Sequence, residues 1–177
     1  MILQFTAMPL TFVVGTASDA FSGDLAGAVE NELRSRYRFT PATAEERYES
    51  EPVNAAGWRE LQNLMASMLG AGAAPQLTEV DAYQAVYIPA PIARVDHLQL
   101  PGVADPLQVA SLPSLVDQLT RFAQQAGLPT DDLELMGLAA DYLESGADRE
   151  LDFQTYVQLM LSARQAVARG QALWVVA

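Results

Sequence analysis

The closing stretch of the chain constrains its fold most strongly: three amphipathic helices in succession, then an apolar strand. The first helix starts at a Ser111 cap. Its stripe of Leu112, Leu115, Val116, Leu119, Phe122 and Ala126 keeps to one side at a period of about 3.6 residues, and Gly127 and Pro129 stop it. The second starts at a Thr130 cap, with Asp131 and Asp132 in the first turn, where carboxylates suit the helix dipole. Its apolar side is Leu135, Met136, Leu138, Ala139, Tyr142 and Leu143. The third starts at an Asp152 cap with a stripe of Phe153, Tyr156, Val157, Met160, Ala163 and Val167. Arg164 and Arg169 lie near its carboxyl end, and Gly170 closes it. The strand Leu173–Val176 (LWVV) then needs neighbours, because a lone strand leaves its backbone donors and acceptors unpaired.

Those neighbours lie earlier in the chain. Ile2, Phe5, Phe12, Val13 and Val14 favour strands, and Pro9 marks an edge, a bulge or a turn between two short ones. In Val80–Ile88 (VDAYQAVYI), Val86 and Ile88 point one way and Ala85 and Tyr87 the other, so both faces are apolar, as in an interior strand. Between these strands, Leu25, Ala28, Val29, Leu33 and Tyr37 share one helix face behind a Ser22 or Asp24 cap. A further helix capped by Asn54 carries Trp58, Leu61, Met65 and Met68, and ends at Gly70 and Gly72. Residues Phe39 to Pro52 read as an exposed acidic loop, and Ile92 to Pro113 as irregular structure with a short strand near His97 to Leu100.

The expected fold is a single α+β domain over residues 1–177. A small mixed or antiparallel sheet of N-terminal strands, Val80–Ile88 and Leu173–Val176 is packed by about five helices. The alternative is a doubly wound sheet that begins with the first strand–loop–helix. Half of the residues are hydrophobic, so a core of ordinary size is available without metal or disulfide, and there is no cysteine to form either disulfides or thiolate metal sites. No apolar run reaches the roughly 20 residues of a membrane helix. The first 15 residues lack the basic start of a signal peptide, so a cytoplasmic protein is expected.

The net charge is −12, from 22 acids against ten bases, all of them arginine. Such a field repels phosphate backbones and attracts basic surfaces, so a basic protein is the expected partner and nucleic acid is not. The acidic groups nominated for that role are Glu45, Glu46, Glu49 and Glu51, together with Asp131, Asp132 and Glu134. Immunity proteins and inhibitors that neutralise a basic target carry charge of this kind. Homodimerisation through alanine-rich helix faces and the Met65–Met68 region is a further expectation.

Catalytic and cofactor signatures are sparse. The single histidine, His97, has no G-x-S-x-G serine to serve, and no catalytic residue or cofactor is nominated. Paired carboxylates such as Glu79 and Asp81, or Asp141 and Glu144, fall in loops and helix ends, where solvation and capping explain them. The stretch LDFQTYVQLM resembles the exiting half of an EF-hand. However, Arg149 replaces the turn glycine and Thr155 the closing glutamate, so the calcium ligand set is broken and no metal site is assigned. The alternative to protein binding is a small-molecule or nucleotide site in the Gly15–Asp24 strand–loop–helix. There Gly15 and free amides would admit a phosphate, and Thr16, Ser18 and Ser22 would donate to it. Neither glycine-rich phosphate motif is present, and Asp19 and Asp24 oppose an anion.

Overall fold

A computed structural model describes residues 2–8, 31–39, 48–82, 85–100, 105–145 and 150–176. The chain has an α+β fold built on an open, mixed sheet of seven strands. The strands are β1 (Ile2–Met8), β2 (Tyr48–Glu49), β3 (Val53–Asn54), β4 (Ala85–Ile88), β5 (Asp96–Leu98), β6 (Leu107–Ser111) and β7 (Ala172–Val176). Six helices accompany them among the described residues: α1 (described over 31–36), α2 (Ala55–Leu69), α3 (Pro75–Thr78), α4 (Leu112–Ala126), α5 (Asp132–Ser145) and α6 (Leu151–Arg169).

The closing strand finds the neighbours its composition requires. β7 lies between β1 and β4, antiparallel to both, with Phe5 opposite Val175 and Val86 opposite Trp174. β6 runs parallel to β4 and β5 antiparallel to β6, giving the order β2-β1-β7-β4-β6-β5. The sheet is buried on both faces, as the double apolar pattern of β4 implies. Leu3, Phe5, Ala85, Tyr87, Ala110, Leu173 and Val175 meet α2, α4 and α6 on one side. Val86, Ile88, Leu98, Val109, Ala172 and Trp174 form a second core on the other, with Leu33 and Tyr37 of the α1 region. Trp58 and Trp174 are both core residues.

At the centre stands α6, which packs against α2, α4, α5 and β1. Every residue from Thr155 to Ala163 is buried, so this helix is sheathed around its whole circumference rather than along the single stripe expected. Two of its polar residues bond to its own backbone, Thr155 Oγ1 donating to Leu151 O at 2.7 Å and Ser162 Oγ to Gln158 O at 2.6 Å, while Gln158 Oε1 accepts from Glu51 N at 3.2 Å.

Several sequence expectations need correction. The supposed acidic loop before Pro52 contains β2 and is continued by β3, and both pair with β1. The registers Thr6↔Glu49 and Leu3↔Val53 leave one extra residue on the edge strand, a bulge. Ser50 repairs it: Ser50 N donates to Phe5 O, and Phe5 N to Ser50 Oγ. The segment expected to be irregular before Pro113 contains β6, buried throughout. Among the described residues of Val80–Ile88, Ala85–Ile88 is strand and Val80 is not; the Val80 carbonyl accepts from Trp58 Nε1 at 3.2 Å and Gln62 Nε2 at 2.7 Å. The caps of Asn54 and Ser111 are as expected. The cap of α5 is Asp131 rather than Thr130, its Oδ1 accepting from the amides of Leu133 and Glu134. α6 begins behind Glu150, in a left-handed conformation, so Asp152 lies inside its first turn. The first strand ends at Met8. Phe12, Val13, Val14, Leu25, Ala28 and Val29 lie outside the described residues.

Candidate interaction surface

The acidic residues nominated from the sequence have different fates. Glu49 is exposed on β2 and Glu51 in the bulge beside it. Asp131 is engaged as the α5 cap, and Asp132 pairs with Arg164, Oδ1 to Nε at 2.9 Å. Arg164 also donates to the Thr130 carbonyl, which ties the start of α5 to α6. Glu134 is exposed. Glu45 and Glu46, and the alternative ligand loop with Gly15, Thr16, Ser18 and Ser22, lie outside the described residues.

Two of the nominated groups, about 80 residues apart in the chain, both act on the phenol of Tyr48. Burial raises the pKa of its phenol, and the carboxylates of Glu51 and Asp132 raise it further, while the guanidinium of Arg169 opposes them. That guanidinium sits 5.8 Å from the centre of the Tyr48 ring, a cation–π distance. The bulged sheet edge, the amino end of α5 and the carboxyl end of α6 therefore all act on Tyr48, with Arg164 and Arg169 set among their acids.

α5 extends this region and departs most from the sequence expectation. Leu135 is buried, and Leu138, Ala139 and Tyr142 pack on the core. Met136 and Leu143, expected to face inward, point to solvent, 53% and 59% exposed, and Leu133 is 75% exposed. Ala140 is exposed between them. The four recur at helical spacing and form a stripe about 15 Å long, at about 1.5 Å per residue. Beside it lie the exposed acids Glu134, Asp141 and Glu144, and α5 contains no basic residue. The sequence does carry a signal for this. Apolar residues occur nearly all round α5, more than one buried face can use, yet among the described residues only one side of it is covered.

Other regions are already occupied by the fold. The carboxyl ends of parallel strands commonly form a ligand crevice. Here the ends of β4 and β6 are filled by Gln76 of α3, which is fully buried. Gln76 Oε1 accepts from Ser111 N at 2.6 Å and Nε2 donates to Ile92 O at 2.9 Å. Gln76 N donates to Gln118 Oε1 at 3.1 Å, and its carbonyl accepts from Tyr87 at 2.9 Å. A depression of about 470 Å³ on α4, lined by Ser114, Asp117, Gln118 and Arg121, borders the same network. Its Arg121 donates to Ala73 O, while Gln118 already serves Gln76. Among the described residues no group of three or more histidines and acids could hold a metal ion. Thr155, at the EF-hand closing position, is buried and bonded within α6. Of the Met65–Met68 region, Met65 lies in the core and Met68, partly buried, packs on it. No helix among the described residues is long and apolar enough to cross a membrane.

Comparison with protein-family models, curated proteins and solved structures yields no match to this chain.

Proposed function

We propose that the chain is a non-enzymatic binding module that recognises a basic protein through its acidic surface. The observation that carries this reading is α5, a surface helix whose charges are all acidic and whose outer side keeps three large apolar side chains in solvent. Folding alone does not reward that arrangement, because exposed Leu and Met gain nothing from water. A partner that covers them gains apolar burial, and one that is also basic gains attraction from a chain of net charge −12. Glu51, exposed in the bulge of the sheet edge, supports the same reading as an acid outside α5.

The test is recovery of the tagged chain from its native host at low salt, with the bound protein identified and its affinity measured as salt is raised. The reading expects a basic protein whose affinity falls steeply with ionic strength, and falls again when Glu51 and Glu134 are changed to glutamine. A salt-indifferent partner, or a tightly held small molecule in place of a protein, would contradict it.

A further inference from the structure

From the form of the α5 surface we infer the mode of recognition: the partner presents a cationic amphipathic helix that lies along α5. The inference rests on the proposed reading of the chain as a binder of basic protein, and specifies what that partner must offer.

Three observations lead to a helix. Leu133, Met136, Ala140 and Leu143 form a straight row of nearly three turns, the footprint of one helix laid on another. Gly137 lies within the same outer side. A glycine inside a helix costs about 1 kcal/mol relative to alanine, and nothing among the described residues requires one there, since a Cβ at Gly137 would meet none of their atoms within 4 Å. It leaves a dip between Leu133 and Ala140 into which a partner's side chain can fit. Recognition by strand addition is poorly served by the sheet. One edge carries the bulge and Pro52. The other, β5, is three residues long, and its Asp96 is held by Tyr37 at 2.5 Å and by Arg36 at 3.6 Å.

Charge selects among helices. A second copy of this chain, docked α5 to α5 about a twofold axis, would bring Glu134, Asp141 and Glu144 against the same acids, with no base on either α5 to relieve them. A helix with leucines at i, i+3 or i+4 and i+7, bordered by lysine or arginine, meets both the stripe and its acidic flank.

The probe is a synthetic helix-forming peptide of about 16 residues with that pattern, titrated into the full chain by fluorescence anisotropy. Two controls are a scrambled peptide of the same composition and an analogue with glutamate in place of every base. The patterned cationic peptide should bind, become helical on binding, and bind at least about tenfold more tightly than either control. The double variant L133S/M136Q should weaken it by about tenfold or more. G137W, which fills the dip, should do the same, and G137A should leave binding within a few-fold. These side chains face solvent, so unchanged circular dichroism and melting temperature verify that each variant is folded. Equal binding of the scrambled peptide, or indifference to L133S/M136Q and G137W, overturns docking on α5. If salt-sensitive binding nevertheless persists and weakens in Glu51→Gln but not in Glu134→Gln, basic-partner recognition survives without α5. If no cationic peptide or basic protein binds, both fall. Self-association of the chain that L133S/M136Q abolishes would assign the stripe to a second copy and also overturn the inference.

Discussion

Single residues hold the most crowded points of the molecule. Gly57 on α2 faces the start of α6 so closely that an added Cβ would lie 2.3 Å from the Leu151 carbonyl oxygen and 2.4 Å from Thr155 Oγ1. The obstacle is partly backbone, so it cannot rotate away. G57A should destabilise the protein by about 3 kcal/mol, the upper part of the usual overpacking range. That corresponds to a fall in melting temperature on the order of 10 °C for a chain of this size, measurable by scanning calorimetry; an unchanged melting temperature would mean that α2 and α6 do not cross there. The requirement is invisible in the sequence, where Gly57 simply follows two alanines, because it depends on which helix lies opposite. Gln76 illustrates the same limit. Nothing in the run PQLT foretells that one glutamine side chain, together with its own backbone, will serve β6, α4, Tyr87 and the Ile92 loop at once.

At the scale of elements, what could be read in advance followed local chemistry. The stripes of α2 and α4 and the caps at Asn54 and Ser111 are decided within a few residues, and they agree with the structure. Ser111 ends β6 and caps α4 with no loop between them, its Oγ accepting from Ser114 N at 3.3 Å. S111A should therefore cost about 1 kcal/mol in denaturant unfolding, and a loss near zero would show that the cap is not used. The elements that escaped notice depend on partners remote in sequence. β2 and β3 have two residues each and exist only because β1 lies alongside. Gln108 interrupts the apolar run of β6, and its Oε1 accepts from Asp81 N at 2.8 Å. The proposed interaction surface is half legible in the sequence. Acidity at the start of α5 could be read directly. The outward direction of Met136 and Leu143 could not, because the periodicity of a helix apolar nearly all round does not say which side the protein will cover.

Across the whole molecule, buried tyrosines link stability to alkaline pH. Burial pushes Tyr156 up to about 12. Tyr37 is also pushed to about 12, first by burial and then by its hydrogen bond to Asp96, and burial raises Tyr87 strongly. An unfolded tyrosine ionises near about 10. Between these values the unfolded state has released protons that the native state retains, so stability is full below pH about 10 and declines as pH rises toward about 12. Melting temperatures should follow that course, and ultraviolet titration should show late tyrosinate formation coincident with unfolding; tyrosines that all titrate near pH 10 in a folded chain would contradict the burial. The same core supports α5 from beneath and leaves Leu133, Met136 and Leu143 exposed on its outer side, where the proposed partner would lie. The measurement that tests this account most directly is amide chemical-shift mapping of the labelled chain titrated with the patterned cationic peptide. Shifts concentrated on residues 132–145, extending to Tyr48 and Glu51 and reduced by added salt, are the predicted result. Shifts scattered over the acidic surface, or confined to a region away from α5, would contradict it.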